Sequence, residues 1–235
     1  MYRKLTAIAA LTVAISAMVH AAPSVNGLDI VKARMKSLKT FQAVIKTTTA
    51  LDPLAGGQGT KFSATQKLHY AAPNKTSITI SGIMGNIIVV SDGKTVTQYS
   101  DLSKQYSVKP APKSLATSLV AGLAKANLAP AGKGSVGGES VNIYKGVMTT
   151  ERGTANVTLE LASDSLPRKL TVVIPNLRSQ RGAYRVTTTQ TFSNVFVDKP
   201  IPDSRFVFVP PPGATKADHV PGMVSGETSG IPGMP

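Results

Sequence analysis

Between Gly27 and Lys39 the apolar residues Leu28, Val31, Met35 and Leu38 return every three or four positions, the spacing of one face of an amphipathic helix. Beyond Lys39 the period drops to two. Phe41, Ala43 and Ile45 alternate with Gln42 and Lys46, and Phe62, Ala64, Leu68 and Tyr70 alternate with Lys61, Ser63, Thr65, Lys67 and His69, which predicts two half-buried strands. Asp52–Gly59 reads as a loop, and Ala72-Pro73-Asn74 breaks the chain before a strand at Lys75–Ser81 whose inner face carries Ile78 and Ile80. Asn86–Ser91 and Lys94–Tyr99 flank Asp92-Gly93, the signature of a hairpin with a type I′ turn. A short strand follows at Gln105–Val108. Strands this close in sequence have no room for parallel crossovers, so an antiparallel meander is expected.

A helical segment is predicted between Pro112 and Pro130, capped by Ser114 and apolar at Leu115, Leu119, Leu123 and Ala126. Its small apolar residues suit either a buried helix or a lid over an apolar cavity. After a Gly-rich loop at Ala131–Gly138, strands are expected at Val141–Met148, Ala155–Leu161, Arg168–Ile174, Tyr184–Phe192 and Arg205–Val209. About ten antiparallel strands with two helices define an α+β fold. The sheet is expected to be strongly curved, an unclosed β-barrel with the helices packed in its concave side. From Pro210 the chain is rich in Pro and Gly and aperiodic, which predicts a disordered tail over residues 210–235.

Composition narrows the setting. Arg3 and Lys4, an apolar run over Leu5–Val19 and the small-x-small site Val19-His20-Ala21 read as a secretory signal peptide over residues 1–21. Residues 22–209 then form one domain. The 26 Lys and Arg against 12 Asp and Glu give +14, which favours anionic partners such as lipid headgroups. No Lys/Arg run suggests a nucleic-acid arm, and no nucleic acid is expected. Cysteine is absent, which excludes disulfide stapling, a lipid-anchoring cysteine and thiol chemistry. The three histidines, at 20, 69 and 219, have no metal-ligand spacing. Gly132-Lys-Gly-Ser-Val-Gly137 matches a dinucleotide-binding pattern but follows a helix rather than a strand. Asp92, Asp101, Asp164 and Asp203 all fall in turn sequences. Neither a catalytic constellation nor a cofactor is expected, and a hydrolase reading rests only on the abundance of Ser and Thr.

Ser91-Asp-Gly-Lys-Thr95 followed by Tyr99, and the ending Phe206-Val-Phe-Val-Pro-Pro-Pro-Gly213, resemble the S-D-G-K-x hairpin and F-x-F-x-P-P-x-G ending of the LolA-like family of periplasmic outer-membrane lipoprotein carriers. A helix leading into the Phe41 strand and a strand ending in Pro73-Asn74 agree, and the similarity runs from about Leu28 to Lys216. In the lipoprotein carriers an Arg before the Pro-Asn pair latches the lid; here that position is Ala72. The chain therefore resembles the broader set of predicted periplasmic LolA-like proteins.

The resemblance implies a soluble periplasmic carrier or chaperone that holds the acyl chains of a lipid or acylated protein in an apolar cavity. The residues expected to line it are Phe41, Ile45, Phe62, Leu68, Tyr70, Ile78 and Ile80, with Leu115, Leu119 and Leu123 from the lid. Lys61, Lys67 and Lys75 are rim candidates for lipid phosphates. A monomer is expected, with a possible docking protein at the inner or outer membrane. The alternative is a sensor or regulatory module, because the architecture also resembles periplasmic regulators of envelope stress.

Overall fold

The computed structural model describes residues 25–83, 85–111, 123, 126–150, 153–180 and 182–221. One helix, α1 (Gly27–Ser37), precedes the strands β1 (Thr40–Pro53), β2 (Thr60–Ala71), β3 (Lys75–Gly82), β4 (Gly85–Asp92), β5 (Thr95–Ser100) and β6 (Gln105–Pro110). The strands β7 (Asn127–Val136), β8 (Glu139–Thr150), β9 (Gly153–Leu161), β10 (Pro167–Ser179) and β11 (Gly182–Val197) follow, then a 3-10 turn at Asp203–Phe206 and β12 (Thr215–Lys216). All twelve form one sheet in the order β12-β6-β5-β4-β3-β2-β1-β11-β10-β9-β8-β7. It is strongly curved and unclosed. Two antiparallel meanders, β1–β6 and β7–β11, meet where β1 pairs with β11.

α1 forms where the periodicity placed it. The Asn26 side chain caps it by accepting from Leu28 N at 3.0 Å, and accepts from Leu128 N at 3.2 Å, tying the helix start to β7. Leu28, Val31, Met35 and Leu38 pack on the inner face of the sheet with Phe41, Ile45, Leu159, Leu170 and Phe192. Gly27 permits this approach, since a Cβ there would lie 2.7 Å from the Tyr144 ring. At Gly146 a Cβ would run into the Asn127 carbonyl oxygen of the neighbouring strand. Gly146→Ala is expected to cost about 1–3 kcal/mol through overpacking, read as a lower urea midpoint at unchanged m-value.

Several expectations change. The helix predicted between Pro112 and Pro130 loses its last residues to β7, which also takes in much of the predicted Gly-rich loop Ala131–Gly138; the cap Ser114 and residues Leu115 and Leu119 lie outside the described residues. Ladder pairing with β8 decides the conformation there although Gly and Pro interrupt the alternation. The hairpin turn is wider than a two-residue type I′ turn. Ser91 pairs with Val96, Gly93 alone takes a positive φ, 95°, and Asp92 Oδ1 accepts from Lys94 N and Thr95 N, both at 2.8 Å.

The C-terminal segment departs furthest. Arg205–Val209 is not a strand, and within the tail expected over 210–235 residues Thr215–Lys216 form β12; residues 222–235 of that tail, like the signal peptide expected over 1–21, lie outside the described residues. Phe206 is buried, and Phe208 stacks against Tyr99 and Tyr106 at 5.8 and 5.5 Å. β12 pairs parallel with β6, and Val220 is buried. The segment is thus a strap over the outer face of β3–β6, because Val90, Thr97 and Tyr99 are apolar or only weakly polar and need cover on that side. The strap begins at Asp198, in the left-handed region at φ 54°. Its carboxylate accepts from Lys39 N at 2.8 Å and Thr40 N at 3.4 Å. The Lys39 N–H foremost, then that of Thr40, holds the carboxyl below its ordinary 3.8. A lowered carboxyl stabilises the fold above its unfolded pKa, and that contribution fades as pH falls through the folded value. Asp198→Asn, which tolerates the left-handed backbone, is therefore expected to lower Tm at about pH 6, with the difference closing at the acid end of a thermal-melt series.

Candidate functional site

Cross-strand register assigns every strand residue to the α1 side or the outer side. On β1 the inner residues are Phe41, Ala43, Ile45, Thr47, Thr49 and Leu51, and their β2 partners are Tyr70, Leu68, Gln66, Ala64, Phe62 and Thr60. The inner face continues through Ile78 and Ile80 of β3, opposite Leu68 and Gln66, to Val89 and Ile87 of β4. In the other direction lie Phe192, Gln190, Thr188 and Val186 of β11, then Leu170, Val172 and Ile174 of β10.

Of the residues expected to line a cavity, Phe41, Ile45, Leu68, Tyr70 and Leu123 are buried in the core. Ile78 is half-buried against that core, Ile80 is half-buried, and Phe62 is 42% exposed. Leu115 and Leu119 lie outside the described residues. Tyr70 donates its hydroxyl to Pro73 O at 3.1 Å, and burial raises its pKa. The space between α1 and the sheet, lined by Val31, Met35, Phe41, Leu159, Pro167, Leu170 and Phe192, is about 10 Å³, room for one water. The apolar surface that remains partly open is therefore on β2–β4: Phe62, Ala64, Ile78, Ile80, Ile87 and Val89.

Ile87 and Val89 escaped the sequence reading for a definite reason. They sit in the run Ile87-Ile-Val-Val90, where alternation cannot distinguish the two faces; only pairing with Ile80 and Ile78 does so. A polar belt was missed as well. Thr47, Thr49, Gln66, Thr188 and Gln190 are neighbours across the middle of the inner face. Thr49 Oγ1 and Thr188 Oγ1 lie 3.2 Å apart. Thr49, Thr188 and Gln190 are 7%, 2% and 7% exposed.

The rim lysines move to the opposite side. Lys61 and Lys67 occupy outer positions of β2 by alternation, and Lys75 reaches Asp203 of the strap at 2.7 Å. His69 is also on the outer side; burial first, then Arg205 and Lys67, hold its pKa below the ordinary 6.5. Among the described residues no group of three His, Asp or Glu side chains is placed to hold a metal ion, and no helix is long and apolar enough to cross a membrane.

The described residues thus form an open, curved antiparallel sheet with a helix on its inner face. Residues 25–131 match the model of a family described as "Predicted periplasmic protein (DUF2092)", which spans α1, β1–β6 and the start of β7. Among solved structures, an uncharacterized conserved protein from Thermus thermophilus shares 12% identity at a TM-score of 0.50, over 81% of this chain and 96% of that one. This likeness is one of fold. Lipoprotein LppX from Mycobacterium tuberculosis is 13% identical at a TM-score of 0.47, over 75% and 95%. A LolA superfamily protein from Nitrosomonas europaea is 8% identical at 0.35, over 79% and 99%. No curated protein matches the sequence.

Proposed function

We propose that this protein is a periplasmic carrier or chaperone that binds the acyl chains of a lipid or lipoprotein noncovalently on the inner face of its sheet, after export by the signal peptide over residues 1–21. The observation that carries the reading is the partly open apolar surface of Phe62, Ile78, Ile80, Ile87 and Val89, continuous with the core. Each methylene transferred there from water contributes about 0.8 kcal/mol, so eight supply roughly 6 kcal/mol before the cost of ordering the chain. Binding of this kind needs no reactive side chain. The hydrophobic gap beneath α1 is nearly filled, so the ligand lies against β2–β4, with Phe41, Ile45, Leu68 and Tyr70 as the packed backing.

Native mass spectrometry of the mature protein purified from a bacterial periplasm, followed by organic extraction and lipid identification, tests this. A stoichiometric acyl-bearing ligand is expected. A ligand-free protein that also fails to take up added phospholipid or lipopeptide would sink the reading.

A further inference from the structure

Resting on the carrier reading, we infer that one rim of the sheet docks on an anionic lipid bilayer, with aliphatic side chains at the turns joining β1 to β2, β3 to β4 and β5 to β6 entering the headgroup region and lysines beside them meeting lipid phosphates. Successive strands are antiparallel, so these three turns lie at one end of the first meander. Each carries an exposed large aliphatic residue: Leu54 at 49%, Ile83 at 77% and Leu102 at 72%. The turns at the opposite end contain Pro73-Asn74, Gly93-Lys94, Gly137-Gly138 and Ser163-Asp164-Ser165, the residue types that turns ordinarily use. None of these exposes a large aliphatic side chain. A single exposed aliphatic residue needs no explanation, whereas three at successive turns of one rim mark an interaction surface.

The rim is fastened together and basic. Asp101 accepts from Asn86 N and Nδ2, each at 2.7 Å, which engages both of its oxygens and ties the β5–β6 turn to the β3–β4 hairpin. Leu54 N donates to Ala183 O at 2.9 Å and ties the β1–β2 loop to β11. Lys104 follows Leu102 in its turn, and Lys61 stands beside Phe62 where β2 runs on past its pairing with Gly82 at the end of β3. Both lysines are exposed, and neither has an acidic partner among the described residues. Apolar groups at the acyl boundary combined with lysines that attract anionic lipid hold a protein in the interface without spanning it. Position joins this rim to the carrier reading. Ile80 pairs with Ile87 two residues from the Gly82–Gly85 turn, so the open apolar surface ends at the rim, and an acyl chain leaving a docked bilayer reaches it with little exposure to water.

Flotation of the mature protein with vesicles of phosphatidylethanolamine and phosphatidylglycerol tests this, alongside uptake of monomeric dioctanoyl phosphatidylglycerol. Ile83→Ser/Leu102→Ser is expected to weaken vesicle binding about tenfold. Lys61→Gln/Lys104→Gln is expected to weaken it about tenfold as well, and the parent to bind all-phosphatidylcholine vesicles more weakly by about the same factor. Both variants should take up the monomeric lipid as the parent does, which also reports that they are folded. Val209→Ser, at a strap position 75% exposed, is the control and should leave flotation unchanged. Undiminished flotation of Ile83→Ser/Leu102→Ser, equal binding to both kinds of vesicle, or an equal loss in Val209→Ser would overturn the inference. A parent that takes up monomeric lipid and floats with neither vesicle would overturn it too, leaving the carrier reading standing and pointing to loading by a protein partner. A parent that floats through its rim but takes up no lipid would overturn the carrier reading alone.

Discussion

Phe206→Ala is expected to destabilise the fold by about 3–5 kcal/mol, the usual cost of deleting a fully buried phenyl ring. In a domain of this size that lowers Tm by about 10 °C. Phe206 is 2% exposed, seated on the outer face of the sheet with the Lys75 ammonium 5.9 Å from its ring centroid. Next to it, Val90, Thr97 and Phe208 line a hollow of about 190 Å³ that loss of the ring would enlarge. Urea unfolding followed by circular dichroism reads the loss directly. A cost under about 1 kcal/mol would show that the strap does not hold the outer face. Acyl binding is expected to persist in this variant, because the strap and the open apolar surface lie on opposite faces. Stability and ligand affinity can therefore be separated by one substitution.

Ile80→Asp is expected to have the opposite profile. Ile80 is half-buried, between Gln66 of β2 and Ile87 of β4 on the inner face. A carboxylate there denies an acyl chain contact over about three methylenes, roughly 2.4 kcal/mol at about 0.8 kcal/mol each, which is on the order of 50-fold in Kd. The ligand seen in native mass spectrometry should be lost while the far-ultraviolet circular dichroism is retained. Thr79→Asp is the control. One residue earlier on β3, it faces outward, and its affinity should match that of the parent protein. Equal loss in both variants would mean that the effect comes from the strand rather than from the surface it presents.

How much of this was legible beforehand differs from element to element. α1 was readable because Leu28, Val31, Met35 and Leu38 keep helical spacing; its Asn26 cap was found only in the structure. β2 and β3 were readable because one side of each alternates with polar residues. β7 was not. Its stretch Ala129-Pro-Ala-Gly-Lys-Gly134 has no alternation, and only the ladder with β8 makes it a strand. The motif Phe206-Val-Phe208 was visible, yet its role was not. Two aromatic residues two positions apart suit one face of an extended strand, whereas here they anchor a strap against Tyr99, Tyr106 and Val90.

By itself, the sequence determined the class of fold: a helix followed by a meander of half-buried strands, in a basic chain without cysteine. Period-two alternation states which residues share a side of a strand. It does not state which side faces in, or which distant strand lies alongside. The tertiary structure decided both. Pairing of β1 with β11 set Thr49 against Thr188, residues 139 positions apart, and closed the polar belt. Pairing of β3 with β4 selected Ile87 and Val89 for the inner face. The return of the chain after Asp198 carried Lys75 to an ion pair on the outer side. These outcomes depend on contacts between segments far apart in the chain, and local spacing carries no record of them.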